Sequence, residues 1–419
     1  MRLSFVLLLL MLILSSCDMN ERQVCKKNHE IIMRNILFQI DKKTQEGYIW
    51  NYDNTMEYAD SLTNIYTTNE NYIFARAYSF EILRYYKHSS TNYFILQKNA
   101  QNSYTKELAL LKNIKINASC NISETQHSGN TMYMKNLRYT LLPMAISNKS
   151  ILDETDNREI ISFGYYSVAF FYMYSVNRDV SQAKIFLSNS IKLHDTAEAQ
   201  NLIGYCCFLQ KDINNAIIHY SNACKYNPRD YYFYRDYRMA KSTSLYNNIQ
   251  ESYLSNDYKN VIILTTELKS LWPDDDTLHW LYNRRGLCYL YMTTNNLENN
   301  YNAISNFKIA YYKCKTNVIK QALYSHNLSC SYYDLGNTMC LYILQSTNSS
   351  ANKSSMYEMY SNMITAYRDG LKYSEYAIKI AKEYDENNLL KLSGRLHTQY
   401  TKLIIINSNK VIRKLQWEN

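Results

Sequence analysis

The sequence predicts an all-α fold of repeated helix-turn-helix units, and three observations carry that expectation. Only 8 glycines and 3 prolines occur among 419 residues, where average usage would give about 50. Turn-rich sandwiches, barrels and glycine-cradled nucleotide folds are poor fits to such a chain. Hydrophobic residues make up 46% and Tyr alone accounts for 43 positions, which excludes a disordered polymer. A mean hydropathy of −0.43 excludes a polytopic membrane protein. From about residue 157, small, aromatic and proline residues recur with a period near 33.

At the N-terminus, Arg2 precedes a run of ten apolar residues, Phe5 to Leu14. That length suits a signal core and is about half of the roughly 20 residues a membrane span needs. Ser15 and Ser16 then precede Cys17. The string Leu14-Ser15-Ser16-Cys17 resembles the lipobox of bacterial lipoproteins. The resemblance implies cleavage before Cys17, lipidation of that residue, and attachment to a membrane of the bacterial cell envelope, on a periplasmic or outer-membrane face. Several acyl chains, each gaining about 0.8 kcal/mol per buried CH₂, would hold it there. Residues 1–16 are thus expected to be a signal peptide, and 17–27 a polar, lipidated tether.

Residues 28–156 read as divergent helical repeats. An amphipathic helix is expected over 28–46, a pair over Asn71–Tyr86 and Thr91–Ile114, a polar loop over Ile116–Asn130, and a helix over Met132–Ser147 kinked at Pro143.

Residues 157–315 carry the period. In AEAQNLIGYCCFLQKDINNAIIHYSNACKYNP (197–228), Ala216, Tyr220 and Ala223 lie four and three apart on one helix face. Gly204 leaves room for a neighbouring helix, Asp212–Asn214 makes the turn, and Pro228 ends the unit. This stretch resembles a tetratricopeptide repeat over its full length. Upstream, Ala183, Leu187 and Ser190 repeat the second-helix face after a first helix over Ile160–Val176. Downstream, Val261, Thr265, Leu268 and Pro273 form a third unit. Gly286 with Ala303, Phe307 and Ala310 forms a fourth, with about five extra residues in the turn Asn295–Asn302. The resemblance implies a right-handed α-solenoid whose stacked neighbours supply the core. Residues 316–419 continue as C-terminal helical repeats over Val318–Leu344, Met356–Tyr384 and Glu386–Ile406, with a polar loop at 345–355.

Little in the chain points to chemistry. It contains no phosphate-cradling, dinucleotide, zinc-protease or nucleophile-elbow motif, so it is read as a non-enzyme without metal or cofactor. Its eight histidines are dispersed. His326 and Cys330, four apart, are two ligands where a zinc site needs four. Asp274-Asp275-Asp276 follows Pro273, where acids cap the next helix. Apart from Cys17, nine cysteines remain, and most fall in apolar helical patterns as small buried hydrophobes. The formal charge of +9 is spread among acids, so nucleic acid is not an expected partner. The aromatic-basic run RDYYFYRDYR (229–238) is read as the opening of a first helix with its tyrosines packed.

In the tetratricopeptide family the first helix of each pair lines a concave groove. Carried onto this chain, the repeat register puts Tyr165 and Tyr172 there from the first pair, and Asn201, Tyr205 and Phe208 from the second. Tyr246, Gln250 and Tyr253 follow from the third pair, and Trp280, Asn283 and Tyr291 from the fourth. Asn201 and Asn283 match the amide of the family's peptide-carboxylate clamp, but the cations of that clamp are not at the matching places. Two functions are expected. One is a membrane-anchored scaffold binding a protein or peptide in the groove. The other is a lipoprotein capturing a solute or glycan beside an outer-membrane importer. Proteins of the second kind carry long Gly-, Pro- and Trp-rich insertions, which this composition lacks.

Overall fold

The computed structural model describes residues 2–46, 52–63, 69–123, 131–292, 296–346 and 353–416. Among them there is no strand. The fold is all-α, as its composition requires, and its helices follow one another as packed repeats. The chain divides into two compact units, Met1–Ala240 and Lys241–Asn419.

The first unit opens with α1 (Arg2–Gln45), α2 (Tyr52–Thr63), α3 (Asn69–Ile82), α4 (Tyr86–Asn99) and α5 (Ser103–Ser123). Ile32, Ile36 and Ile40 of α1 bury against Phe74, Tyr93, Leu96 and Ile116. The polar stretch read as a tether is helical. From Arg22 it is docked, with Arg22 bonding Glu107 of α5 at 2.6 Å and Cys25 meeting Thr105 at 3.4 Å. His29 is buried edge-on to Phe74. The side chains of the lipobox lie outside the described residues.

The single helix expected over Thr91–Ile114 is two helices, α4 and α5, broken at Ala100–Asn102. Asn102 Oδ1 accepts from the Tyr104 and Thr105 N–H groups and so starts α5. The loop expected from Ile116 begins later, because Ile116, Ala118 and Cys120 are all buried and carry α5 on to Ser123. The rest of that loop, 124–130, lies outside the described residues. At Pro143 the helix is interrupted. α6 (Thr131–Asn136) passes through a π-helical turn, Leu137–Leu141, before α7 (Leu142–Ser147) resumes with the proline in its first turn. Pro143 has no N–H to give, and the wider turn absorbs the missing bond.

Two pairs follow: α8 (Thr155–Tyr174) with α9 (Val180–Leu193), and α10 (Ala197–Leu209) with α11 (Ile213–Tyr226). Asp179, Thr196 and Asp212 cap three of these helices by accepting from the N–H three residues on. At the joint of the second pair, Gly204 is where the Tyr220 ring lies. A methyl there would come 2.8 Å from the ring. The next helix, α12 (Tyr231–Leu254), begins after Pro228, and Asp230 accepts from the N–H groups of Tyr232 and Phe233.

In the second unit, Leu245 and Ile249 of α12 bury with Val261 and Leu268 of α13 (Tyr258–Leu271). Then come α14 (His279–Tyr291), α15 (Leu297–Lys313), α16 (Val318–Gln345), α17 (Lys353–Glu383) and α18 (Asn387–Gln416). Part of the turn expected to be long, 293–295, and the core of the expected loop, 347–352, lie outside the described residues. Of the aspartate run, Asp275 caps the short 3-10 turn Asp276–Leu278 that leads into α14, accepting from Thr277 N at 2.8 Å, while α14 itself has no side-chain cap and Asp276 pairs with Lys313. Aromatic-on-glycine contacts recur as Phe307 over Gly286, Tyr367 over Gly336 and Tyr400 over Gly370.

The Tyr367 ring cannot retreat from Gly336. Its hydroxyl donates to Asn337 Oδ1 and accepts from Asn407 Nδ2, both at 2.7 Å. A methyl at Gly336 would lie 2.5 Å from that ring, whereas one at Gly394, within α18, would meet nothing within 4 Å. Overpacking of this kind costs about 1–3 kcal/mol, while relief of glycine's entropy in a helix gains about 0.5–1 kcal/mol. Gly336→Ala should therefore lower the thermal midpoint and Gly394→Ala raise it, as read by circular dichroism. Equal shifts would contradict the interlock.

Candidate functional site

The first helices of the first unit come together on one face. Tyr174 of α8, Asn201, Leu202, Tyr205 and Phe208 of α10, Tyr220 of α11, and Arg235, Asp236 and Met239 of α12 line a cavity of about 300 Å³. Asn201, Tyr205 and Phe208 are residues the repeat register puts there. Tyr174, Arg235, Asp236 and Met239 are not. Asp236 organises the polar side: its Oδ1 accepts from Arg235 Nη2 at 2.9 Å and Nε at 3.2 Å, and its Oδ2 from Asn201 Nδ2 at 3.4 Å. Asn201 Oδ1 is buried with no hydrogen-bond partner. Burial pushes the Tyr174 and Tyr220 hydroxyls up, and the Asp236 charge adds to both. The cavity wall is therefore neutral aromatic surface beside the Arg235–Asp236 ion pair.

Tyr165 and Tyr172 lie elsewhere. Both rings pack on Phe186 of α9, and the Arg138 guanidinium sits 5.1 Å from the centre of the Tyr172 ring. The residues of α8 that ladder along its other face are Tyr166, Phe170 and Tyr174, four apart and in successive ring contact. The slip has a cause in the turns. Five residues separate α8 from α9, but three separate α10 from α11. A register carried back by 33 lands two residues out, which on a helix is slightly more than a half-turn.

The second unit presents its own first-helix face. Tyr246 meets Trp280 edge-on at 5.5 Å between ring centres. Arg284 lies 4.0 Å over the Tyr253 ring and reaches Gln250 Oε1 at 3.5 Å. Asn283 accepts from Asn327 Nδ2 at 2.8 Å, and Tyr291 contacts Tyr258. The sequence reading has no cation on these faces, yet Arg235 and Arg284 supply one in each unit. Arg284 follows Trp280 by four residues, so extending that face one turn would have found it.

RDYYFYRDYR opens α12 as expected, but of its four tyrosines only Tyr237 packs against the core. Tyr231, Tyr232 and Tyr234 are 67%, 63% and 49% exposed, and Phe233 is the buried member. Arg235 and Arg238 sit over the Tyr232 and Tyr234 rings. A second, more open depression of about 930 Å³ is lined by amides and acids, including Asn28, Glu70, Asn71, Asn99 and Gln101.

His326 and Cys330 do share a face of α16, with the thiol 3.7 Å from Nε2 and Ser393 Oγ 3.0 Å from Nδ1. Burial pushes the Cys330 thiol up to about 12 and the imidazole down. Both groups are therefore neutral, the opposite of the thiolate-imidazolium pair that nucleophilic catalysis requires. Among the described residues no three His, Cys, Asp or Glu side chains converge as metal ligands. Six of the nine cysteines described are buried, and none is in a disulfide.

No protein-family model matches the chain, and no curated protein does. Solved structures of helical repeats resemble it at low identity. The TPR2AB-domain:pHSP90 complex of yeast Sti1 aligns at 12% identity and a TM-score of 0.33, covering 79% of this chain and 98% of that one. The TPR domain of P58(IPK) aligns at 12% and 0.22, covering 88% and 98%. The human IFIT1 dimer with m7Gppp-AAAA aligns at 11% and 0.26, covering 93% and 94%. On its own helix pairs and their ring-on-glycine joints, this chain is an all-α protein of helical repeats.

One turn beyond Cys330, burial raises the Asp334 carboxyl to about 6 from an ordinary 3.8. The folded chain thus holds this proton more tightly than the unfolded one, so the ionised group opposes folding in full above pH 6, and the penalty fades as pH falls towards 3.8. Asp334→Asn should stabilise the protein at pH 7.5 by on the order of 1–3 kcal/mol, with the gain shrinking by pH 4.5. Urea titrations at the two pH values read it, and a gain independent of pH would refute the assignment.

Proposed function

We propose that this protein is a partner-binding scaffold, anchored to a membrane of the bacterial cell envelope through lipidated Cys17, whose first-helix faces receive a segment of another protein. The observation that carries the reading is the cavity where α8, α10 and α12 meet. Aromatic surface there surrounds hydrogen-bonding groups, in a place where a chain built only for stability would close its helices together. Tyr246, Tyr253, Trp280 and Arg284 offer a similar mixture in the second unit. The anchor fits this role. Arg22, the first among the described residues to make a tertiary ion pair, is five residues after Cys17, so a lipid there would hold the repeats close to the bilayer. Among the described residues no helix is long and apolar enough to cross a membrane.

Capture of a solute or glycan is the second reading. The amide- and acid-lined depression beside Asn28 and Asn99 favours it, because such groups suit hydroxyl-rich ligands. It ranks below the scaffold because its lining has no aromatic platform.

Two measurements test the scaffold. In-cell cross-linking followed by mass spectrometry should recover a stoichiometric protein with the wild-type chain and lose it with Tyr205→Ala/Phe208→Ala or with Tyr246→Ala/Trp280→Ala. If every captured protein survives both variants, the faces are not the site. Cys17→Ala should move the protein from the membrane to the soluble fraction and abolish incorporation of labelled palmitate. Retention in the membrane would refute the anchor.

A further inference from the structure

The cavity at α8, α10 and α12 has a definite polarity. Its amide orientation is fixed by chemistry, since Asp236 only accepts and Asn201 must turn its Nδ2 towards it. That leaves Asn201 Oδ1 as a buried acceptor with nothing to accept from. The carboxylate, its side chain 22% exposed, lies beside it. Around both stand the rings of Tyr174, Tyr205, Phe208 and Tyr220. The site thus presents the unmatched Asn201 acceptor and the Asp236 carboxylate among aromatic faces. Among the lining residues the one cation, Arg235, is paired with Asp236 and lies 5.2 Å over Tyr232. It displays within the chain the pose that a guanidinium takes on a carboxylate flanked by rings.

We propose that this cavity seats a cationic side chain, a lysine ammonium or an arginine guanidinium, presented by the bound partner; the proposal rests on the face being the partner site. The incoming cation donates to Asn201 Oδ1 and Asp236 and lies against the aromatic walls. Arg235 competes with it for the carboxylate and gives way to it. The opposite assignment, an anion site built on Arg235, would leave Asn201 Oδ1 unpaired and set the ligand against Asp236.

Ligand-detected saturation-transfer NMR on the purified chain tests this, with the Nα-acetyl methylamides of lysine, arginine, norleucine and glutamate as probes. Lysine and arginine should bind saturably, norleucine more weakly and glutamate least. Asp236→Asn should weaken the cationic probes about tenfold, as loss of a charge-assisted pair does. Arg235→Ala should leave their binding unchanged or strengthen it, and Tyr205→Ala should weaken it. Circular dichroism confirms that each variant is folded. The proposal is overturned if glutamate binds best and Arg235→Ala abolishes its binding, if norleucine equals lysine, or if no probe binds at tens of millimolar. In any of those cases, a protein captured through Tyr205 and Phe208 would leave the scaffold reading standing.

Discussion

The structure depends on one contact made repeatedly: an aromatic ring of one helix laid on the bare backbone of its partner. Tyr220 on Gly204, Phe307 on Gly286, Tyr367 on Gly336 and Tyr400 on Gly370 are four instances. A ring in that place fixes separation and rotation together, because it fills the gap that a missing Cβ opens and nothing else fits there. Rotation then decides what each first helix shows outside its pair. Gly204 and Tyr205 are consecutive and so stand about 100° apart on α10. With Gly204 turned into the joint, Tyr205 is turned to the cavity.

The third pair keeps the constraint with its partners exchanged. At the registers of Gly204 and Tyr220, α12 and α13 carry Ile249 and Thr265, and both are fully buried. Small-under-large has become large-over-small at nearly constant volume, which cores tolerate well. This is why the unit folds like its neighbours although its small residues are missing.

The period between residues 157 and 315 made pairs α8–α9, α10–α11 and α14–α15 legible, since small and aromatic residues spaced by three and four can belong only to a packed helix face. Less regular features were hidden for physical reasons. With so few glycines, several helix ends take the left-handed conformation on ordinary residues, at Arg84, Lys211, Asn256 and Asp385. Each such residue costs about 1–2 kcal/mol that glycine would not. The break between α4 and α5 likewise has neither glycine nor proline to mark it, only the Asn102 cap. At the cavity, Asn201, Tyr205 and Phe208 were legible because they share a helix with Gly204. Asp236 and Arg235 were not, because they reach the same place from α12, and only the packed structure shows which helices converge.

Tyrosine abundance hides the site in a second way. Several buried or half-buried tyrosines here are structural, with their hydroxyls placed on a neighbour: Tyr93 on Glu81, Tyr367 on Asn337, Tyr376 on Gln321, Tyr324 at His279, and Tyr400 on the Ser329 carbonyl. A buried tyrosine that meets its hydrogen bond within the fold serves as a large core residue with a fixed end. A composition of one Tyr in ten therefore cannot by itself mark a binding face. What distinguishes the cavity is the combination of an unmatched acceptor, a carboxylate and several rings at one opening. Gln97, Asn113 and Asn300 also keep a buried amide oxygen unmatched, but that of Asn201 lies among rings and beside a carboxylate at a cavity. An unmet acceptor costs stability, and at a cavity that cost is removed when a donor arrives from outside.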